Sequence, residues 1–201
     1  MTCLIITPYI DGELSDIIKG KNFDLVLCAD ASYDAAKSAG LAVDEVIGDF
    51  DHGKKPDFKN ITVVPCEKDD TDTMLCIKRA IALGADDILI VGGIGGRLDH
   101  TVANIQSLAY ADSKGVRAVL TDGSNEATIV SHGAVFKKKD GYFSLFAYGG
   151  ECEGVTLCGV KYPLDNATLG VSFPLGVSNE ITGERASLEI KSGRALVIFS
   201  K

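Results

Sequence analysis

Over the first 120 residues, short apolar runs alternate with stretches in which apolar positions recur every three or four residues. Residues 3–6 and Leu25–Ala29 are unbroken runs of strand length, and residues 45–47 and 61–64 are shorter ones. Residues 88–91 are wholly apolar, the pattern of a strand buried on both faces, and residues 117–120 complete the set. Between these runs, residues 32–39 read as a short helix stopped by Gly40. Residues 71–83 read as a longer helix with Met74, Ile77 and Ile81 on one face and Gly84 as its stop. Residues 99–113 form a third, with Val102, Ile105 and Ala109 aligned ahead of Gly115. Strands alternating with helices predict an α/β fold with a mostly parallel sheet.

The pattern changes after Asp122-Gly123. Helical periodicity stops, and residues 127–130, 142–147, 155–160, 186–190 and 195–199 read as short strands punctuated by glycine. Turn signals every ten or so residues predict a smaller all-β, sandwich-like domain. The expected division is residues 1–123 as the α/β domain and residues 124–201 as the β domain. The lysines at 137–139 read as a solvated hairpin turn.

Composition narrows the function. Twenty basic against 28 acidic residues give a net charge of −8, which disfavours a non-specific grip on nucleic acid or on an anionic membrane. No apolar run approaches the ~20 residues of a membrane span, and the N-terminal segment lacks the basic start of a signal peptide. Six cysteines without a C-x-x-C pair read as reduced thiols. Together these predict a cytoplasmic protein.

The acidic excess is local. Asp30 follows the second apolar run, Asp49 and Asp51 the third, and Asp69, Asp70 and Asp72 the fourth. From residue 44 to residue 72 there are nine acids against four lysines. In open α/β sheets the loops beyond the strand carboxyl ends line the ligand crevice. Carboxylates converging there repel one another unless a hard cation lies between them, and Mg²⁺ with substrate phosphates suits that arrangement. Any one Asp is as well explained as a turn former or a helix cap. Asp70 or Thr71 serves as a cap for the following helix, whereas Lys68 is placed to meet a phosphate.

Gly92-Gly93-Ile94-Gly95-Gly96-Arg97-Leu98-Asp99-His100 joins an apolar run to a helix. Such a turn lets backbone amides approach a phosphate, and Arg97 adds a forked donor. It is neither a P-loop nor a dinucleotide fingerprint, since Leu98 stands where the last glycine belongs. His52, His100 and His132 are too scattered for a zinc site, and no G-x-S-x-G elbow exists. A phosphoryl transferase, a Mg²⁺-dependent nucleotide phosphohydrolase and a non-catalytic nucleotide sensor all fit these features.

Ile47-Gly48-Asp49-Phe50-Asp51, Pro65-x-Glu67-Lys68-Asp69-x-Thr71-Asp72 and Gly92-Gly93-x-Gly95-Gly96-Arg97-x-Asp99-His100, with Ala103-Asn104, together resemble the bacterial thiamine pyrophosphokinases. Tyr162-Pro163-Leu164, Asn166-Ala167-Thr168-Leu169 and Gly176-Val177-Ser178-Asn179-Glu180 are similar to that family's second domain. His52 departs from the pattern, standing where the family has Ser. The resemblance implies that ATP and thiamine give AMP and thiamine diphosphate with Mg²⁺. It also implies a homodimer whose composite active site joins one subunit's α/β domain to the partner's β domain. On this resemblance Asp49, Asp51 and Asp72 hold Mg²⁺ and the triphosphate, and Asp69 and Asp70 are neighbours. Arg97 stabilises the transferred group with help from Lys68, and Asp99 orients or deprotonates the hydroxyl. Thr71, Gly95, Gly96, His100 and Asn104 complete the nucleotide site. Asp30 lies near the thiamine or the metal, and Ser178 and Asn179 hold the thiamine pyrimidine.

Overall fold

The computed structural model describes residues 1–51 and 55–201; His52, singled out above, lies outside the described residues. The chain divides into two compact units, Met1–Gly123 and Ser124–Lys201.

The first unit holds six strands: β1 (Thr2–Ile6), β2 (Leu25–Ala29), β3 (Glu45–Gly48), β4 (Ile61–Val63), β5 (Asp87–Val91) and β6 (Arg117–Thr121). They stand in the order β4-β3-β2-β1-β5-β6, and every neighbouring pair is parallel. Among the described residues four α-helices accompany them: α1 (Leu14–Ile17), α2 (Tyr33–Ser38), α3 (Asp72–Ala82) and α4 (Leu98–Ser113). Alternation along the strands sends Leu4, Ile6, Val26, Cys28, Val46 and Val91 into a core with Leu14, Ile18 and Ala36. On the other face Cys76, Ile77 and Ala80 of α3 are buried, and α3 lies against β1, β2 and β3. Coverage of both faces explains the unbroken apolar runs, and each fully buried Ile or Leu contributes about 1.5–3 kcal/mol. The chain steps outward from β1 to β4 and then returns to the other side of β1 for β5. That reversal opens a crevice beyond the carboxyl ends of β1 and β5.

The second unit holds β7 (Asn125–Val130), β8 (Gly133–Lys137), β9 (Tyr142–Ala147), β10 (Cys152–Cys158), β11 (Leu164–Leu169), β12 (Gly176–Asn179), β13 (Arg185–Glu189) and β14 (Ala195–Ser200). Two antiparallel sheets, β12-β9-β14-β7 and β11-β10-β13-β8, share one core. Phe143, Leu145, Val197 and Phe199 come from the first sheet, and Val155, Leu157, Ala186 and Leu188 from the second. Phe143 and Phe199 meet with ring centroids 5.0 Å apart. Three strands were not foreseen. β8 carries one end of the lysine run, so Lys137 is in a strand and Lys138 N–H donates to Glu184 O at 2.9 Å. β11 and β12 are edge strands with polar residues and register shifts, which erase the period-two signal.

Candidate active site

At the end of β3, Gly48 permits a close approach that no other residue allows, because a Cβ there would stand 2.7 Å from Asp30 Cα. Asp30 and Phe50 both take left-handed backbone conformations, with φ of +48° and +56°. Such a conformation is tolerated by Asp and costly for a bulky Phe. Asp30 Oδ1 accepts the Phe50 N–H at 3.1 Å and so ties the β2 and β3 loops together. Asp49 Oδ1 accepts the Asp51 N–H at 3.2 Å, which turns the chain and leaves Oδ2 to ion-pair with Lys68.

Thr71 caps α3 by accepting the Met74 N–H at 3.1 Å, which places Asp72 in the first turn. Asp72 Oδ1 is buried and 3.1 Å from Lys68 Nζ, but at an angle that makes no hydrogen bond. The hydrogen bond from Lys68 holds the Asp49 carboxyl below its ordinary pKa. For Asp72, burial outweighs the same lysine and pushes the carboxyl up. Burial works against the Lys68 ammonium, yet Asp49 and Asp72 together raise its pKa. Oxygens of Asp30, Asp49 and Asp72 lie within 4.8 Å of one another, and so do ligand atoms of Asp49, Asp51 and Cys66. An all-carboxylate set with one oxygen lacking a hydrogen bond fits a hard divalent cation. Asp70 differs, because both its oxygens take Lys78 Nζ at 2.7 Å.

The turn after β5 is held from inside. Gly93, at φ +74°, has no room for a Cβ, which would stand 2.3 Å from Asn104 Nδ2. That amide donates to Gly93 O at 2.9 Å, so the buried Asn104 anchors the loop. The amides of Gly92, Gly93 and Gly95 donate to Thr121 O, Tyr9 O and Thr101 Oγ1. These three amides therefore serve the loop itself; at the head of α4 the Arg97 side chain makes no cap, and the His100 N–H donates to Asp99 Oδ1 at 3.0 Å. Arg97 grips Asp99 through Nε and Nη2 at 3.2 and 2.6 Å, with both side chains well exposed. The same contact holds the Asp99 carboxyl below its usual range.

These loops enclose a cavity of about 480 Å³. Of the residues expected to form the site, Asp30, Asp49, Asp51, Lys68, Asp70, Thr71, Asp72, Gly95, Arg97, His100 and Asn104 line it. Asp69, Gly96 and Asp99 are not in its wall. Sequence reasoning missed Thr7, Tyr9 and Cys66, which are. The signal for Thr7 and Tyr9 was available, since both lie just past the end of an apolar strand.

Ser178 and Asn179 stand on β12 in the second unit. Ser178 has a left-handed φ of +57°, and its N–H donates to Ser144 Oγ at 3.1 Å. Asn179 is buried and clamps residue 162, accepting the Tyr162 N–H at 3.0 Å and donating to Tyr162 O at 2.8 Å. Its Oδ1 also accepts the Glu180 N–H at 2.9 Å.

Comparison with known proteins agrees with this geometry. Residues 19–120 match the family described as thiamin pyrophosphokinase, catalytic domain, and residues 129–197 match thiamin pyrophosphokinase, vitamin B1 binding domain. Thiamine pyrophosphokinase of Bacillus subtilis strain 168 is 31% identical over 172 residues, covering 81% of this chain and 80% of its own. A crystal structure of the Bacillus subtilis enzyme superposes with a TM-score of 0.90 at 26% identity, covering 100% of this chain and 99% of its own. That of thiamin pyrophosphokinase from Geobacillus thermodenitrificans gives 0.86 at 25% identity, covering 100% and 98%. The comparisons favour neither a phosphohydrolase nor a sensor. Both domain matches and the Bacillus subtilis relative point to one family, and the chain is a member of it: the thiamine pyrophosphokinase family.

Proposed function

We propose that the chain carries out its family's reaction, in which ATP and thiamine give AMP and thiamine diphosphate, in the cleft of the first unit. The observation that carries this reading is the meeting of Asp30, Asp49 and Asp72 within 4.8 Å, with a buried Asp72 oxygen that has no hydrogen bond. An anionic triphosphate enters so acidic a cleft only with a cation, and Asp30, Asp49 and Asp72, with Asp51 beside them, would hold Mg²⁺. When bound, that ion supplies charge neutralisation on the phosphate oxygens.

The chain's own residues then position the reactants. Lys68 meets the phosphates, and Arg97 at the head of α4 grips the transferring group. Asp99 holds the Arg97 fork through two hydrogen bonds and so orients that group. Thr71 and Asn104 act by placement, one starting α3 and the other anchoring the glycine turn. Asp70 works through Lys78, with Asp69 beside it, while Gly95, Gly96 and His100 border the nucleotide. The thiamine hydroxyl attacks the β-phosphorus and gives up its proton to solvent, the bond from that phosphorus to the α–β bridging oxygen breaks, and AMP leaves with the oxygen. Alignment supplies most of the rate enhancement in such transfers.

Thiamine is taken by the second unit at β12, where Ser178 offers its hydroxyl and Asn179 orders the segment. We extend the proposal to a homodimer, with the first unit of one subunit and the β12 segment of its partner forming a composite site, and to a cytoplasmic location. Among the described residues, no helix is long and apolar enough to cross a membrane. Incubation of ATP, thiamine and Mg²⁺ tests the reading. AMP and thiamine diphosphate should accumulate one to one, and ADP as the stoichiometric product would overturn it.

A further inference from the structure

The loops that follow β1 and β5 leave the sheet side by side at the point where strand order reverses, and one aromatic residue joins them. The Tyr9 carbonyl accepts the Gly93 N–H at 2.7 Å. Its ring lies against the next two glycines: a Cβ on Gly95 would stand 3.2 Å from Tyr9 Cε1, and one on Gly96 would stand 3.0 Å from Cε2. Thr7 Oγ1 secures the base of the β1 loop by donating to Val91 O at 3.2 Å. Pro8 between them narrows the conformations open to Thr7. Tyr9 is 46% exposed and lines the cavity, so its packing falls mainly on the glycine turn rather than on the core.

We infer that Tyr9 is a positioning residue for ATP. Its ring and carbonyl hold Gly93, Gly95 and Gly96 in the positive-φ form that sets where α4 begins, and therefore where Arg97 meets the transferring group. The inference rests on the reading that this turn borders the nucleotide. Gly95 and Gly96 both have positive φ, +87° and +61°, a form that an untethered glycine exchanges readily for others. A ring pressed on both removes that freedom before substrate arrives, and preorganisation of this kind lowers the entropy lost on binding. The phenol oxygen would stand 3.4 Å from a Gly95 Cβ, farther than ring carbon Cε1 at 3.2 Å, so the brace runs chiefly through ring carbons and the backbone carbonyl.

Steady-state kinetics in both substrates, with Tyr9→Ala, Tyr9→Phe and Tyr9→Leu, test this. Tyr9→Ala should raise the KM for ATP about 10-fold or more while the KM for thiamine stays within about twofold. Tyr9→Phe should match the wild type on both. If Tyr9→Ala fails to fold, Tyr9→Leu against Tyr9→Phe gives the same comparison of bulk with ring. Hydrogen exchange of residues 93–97 in the nucleotide-free protein should be faster in Tyr9→Ala and unchanged in Tyr9→Phe. An unaltered KM for ATP in Tyr9→Ala, an equal loss in Tyr9→Phe, or unchanged exchange would overturn the inference. Gly95→Ala separates this from failure of the underlying reading. If it raises the KM for ATP while the Tyr9 variants do not, only the role of Tyr9 falls. If Gly95→Ala is also silent, the turn does not border the nucleotide at all.

Discussion

Lys68 Nζ stands 3.1 Å from Asp72 Oδ1 and ion-pairs with Asp49, so a single ammonium bridges a carboxylate at the head of α3 and one beyond β3. The three side chains are only 11–21% exposed, which limits the screening that makes most surface ion pairs nearly worthless. With Asp30 close by, this ammonium is the positive charge that lets three carboxylates share one small volume.

Lys68→Met should therefore destabilise the protein by ~1–3 kcal/mol in the absence of divalent cations, since it leaves partly buried charges unpaired. For a chain of this size that is a fall in Tm of roughly 2–12 °C. Millimolar Mg²⁺ should restore more of the variant's Tm than it adds to the wild type. Melting curves with and without MgCl₂ decide the point, and identical curves for the two proteins would show that the bridge contributes nothing.

Asp72→Asn keeps the shape of the side chain and removes one charge. AMP formation should fall by orders of magnitude while the fold survives. Were Asp72 only a charge at the start of α3, the change would cost ~0.3–1 kcal/mol of stability and leave turnover intact. Turnover and melting on one preparation distinguish the two.

Ser178 and Asn179 should separate by readout. Asn179→Ala strips partners from the Tyr162 backbone and the Glu180 N–H, so it should cost ~1–3 kcal/mol of stability and raise the thiamine KM roughly 5- to 150-fold. Ser178→Ala should raise the thiamine KM with little change in Tm. Reversal of that pattern would move the substrate contact from Ser178 to Asn179.

The six cysteines should label in two classes. Cys66 and Cys158 are exposed, whereas Cys3, Cys28, Cys76 and Cys152 are buried. Burial pushes the Cys3 and Cys28 thiols up to about 12, so they stay protonated and inert at pH 8. A chromogenic disulfide reagent should titrate two thiols in the native protein and six after denaturation. ATP with Mg²⁺ should slow labelling of Cys66, which lines the cavity, and not that of Cys158. The linkage has a definite sign. The unfolded thiols ionise near 9.0 and the folded ones near 12, so this contribution is intact below pH 9 and is lost as the pH climbs toward 12.

The composite site predicts rescue between inactive subunits. Asp72→Asn and Asn179→Ala chains, refolded together at limiting thiamine, should recover about a quarter of wild-type activity, because half of randomly paired dimers are mixed and each has one intact site. No recovery, with mixed dimers seen by mass spectrometry, would place each site within one chain.

Much of the first unit was legible because its residues report their own burial. Leu25–Ala29 is apolar throughout since both faces of β2 are covered, whereas the helix faces came out differently: Thr73, Cys76, Ile77 and Ala80 of α3 and Asn104, Ser107, Leu108 and Ala111 of α4 are buried, and Val102 is exposed. That Asp30, Asp49, Asp51 and Asp72 face one cavity was legible for a similar reason, because each follows a strand whose end can be read; that Asp30 rather than Asp51 meets Asp49 and Asp72 was not. The second unit was less so. Leu164–Leu169 and Gly176–Asn179 are strands because β10 and β9 supply hydrogen-bond partners, and neither segment carries the alternation that would announce it.

By itself the sequence determined the alternation of strands and helices, the change of texture after Asp122-Gly123 and the acidic and glycine-rich loops, all of which depend on neighbours a few residues apart. Only the tertiary structure decided that Lys68 bridges Asp49 and Asp72, that Asn104 anchors Gly93, that Asn179 clamps Tyr162, and that Tyr9 lies on Gly95 and Gly96. Tyr9 and Gly95 are 86 positions apart in the chain and adjacent because β1 and β5 pair. Periodicity records whether a side chain is buried, which is local. Which partner it meets depends on strand order and register, and those are set only when the whole sheet has formed.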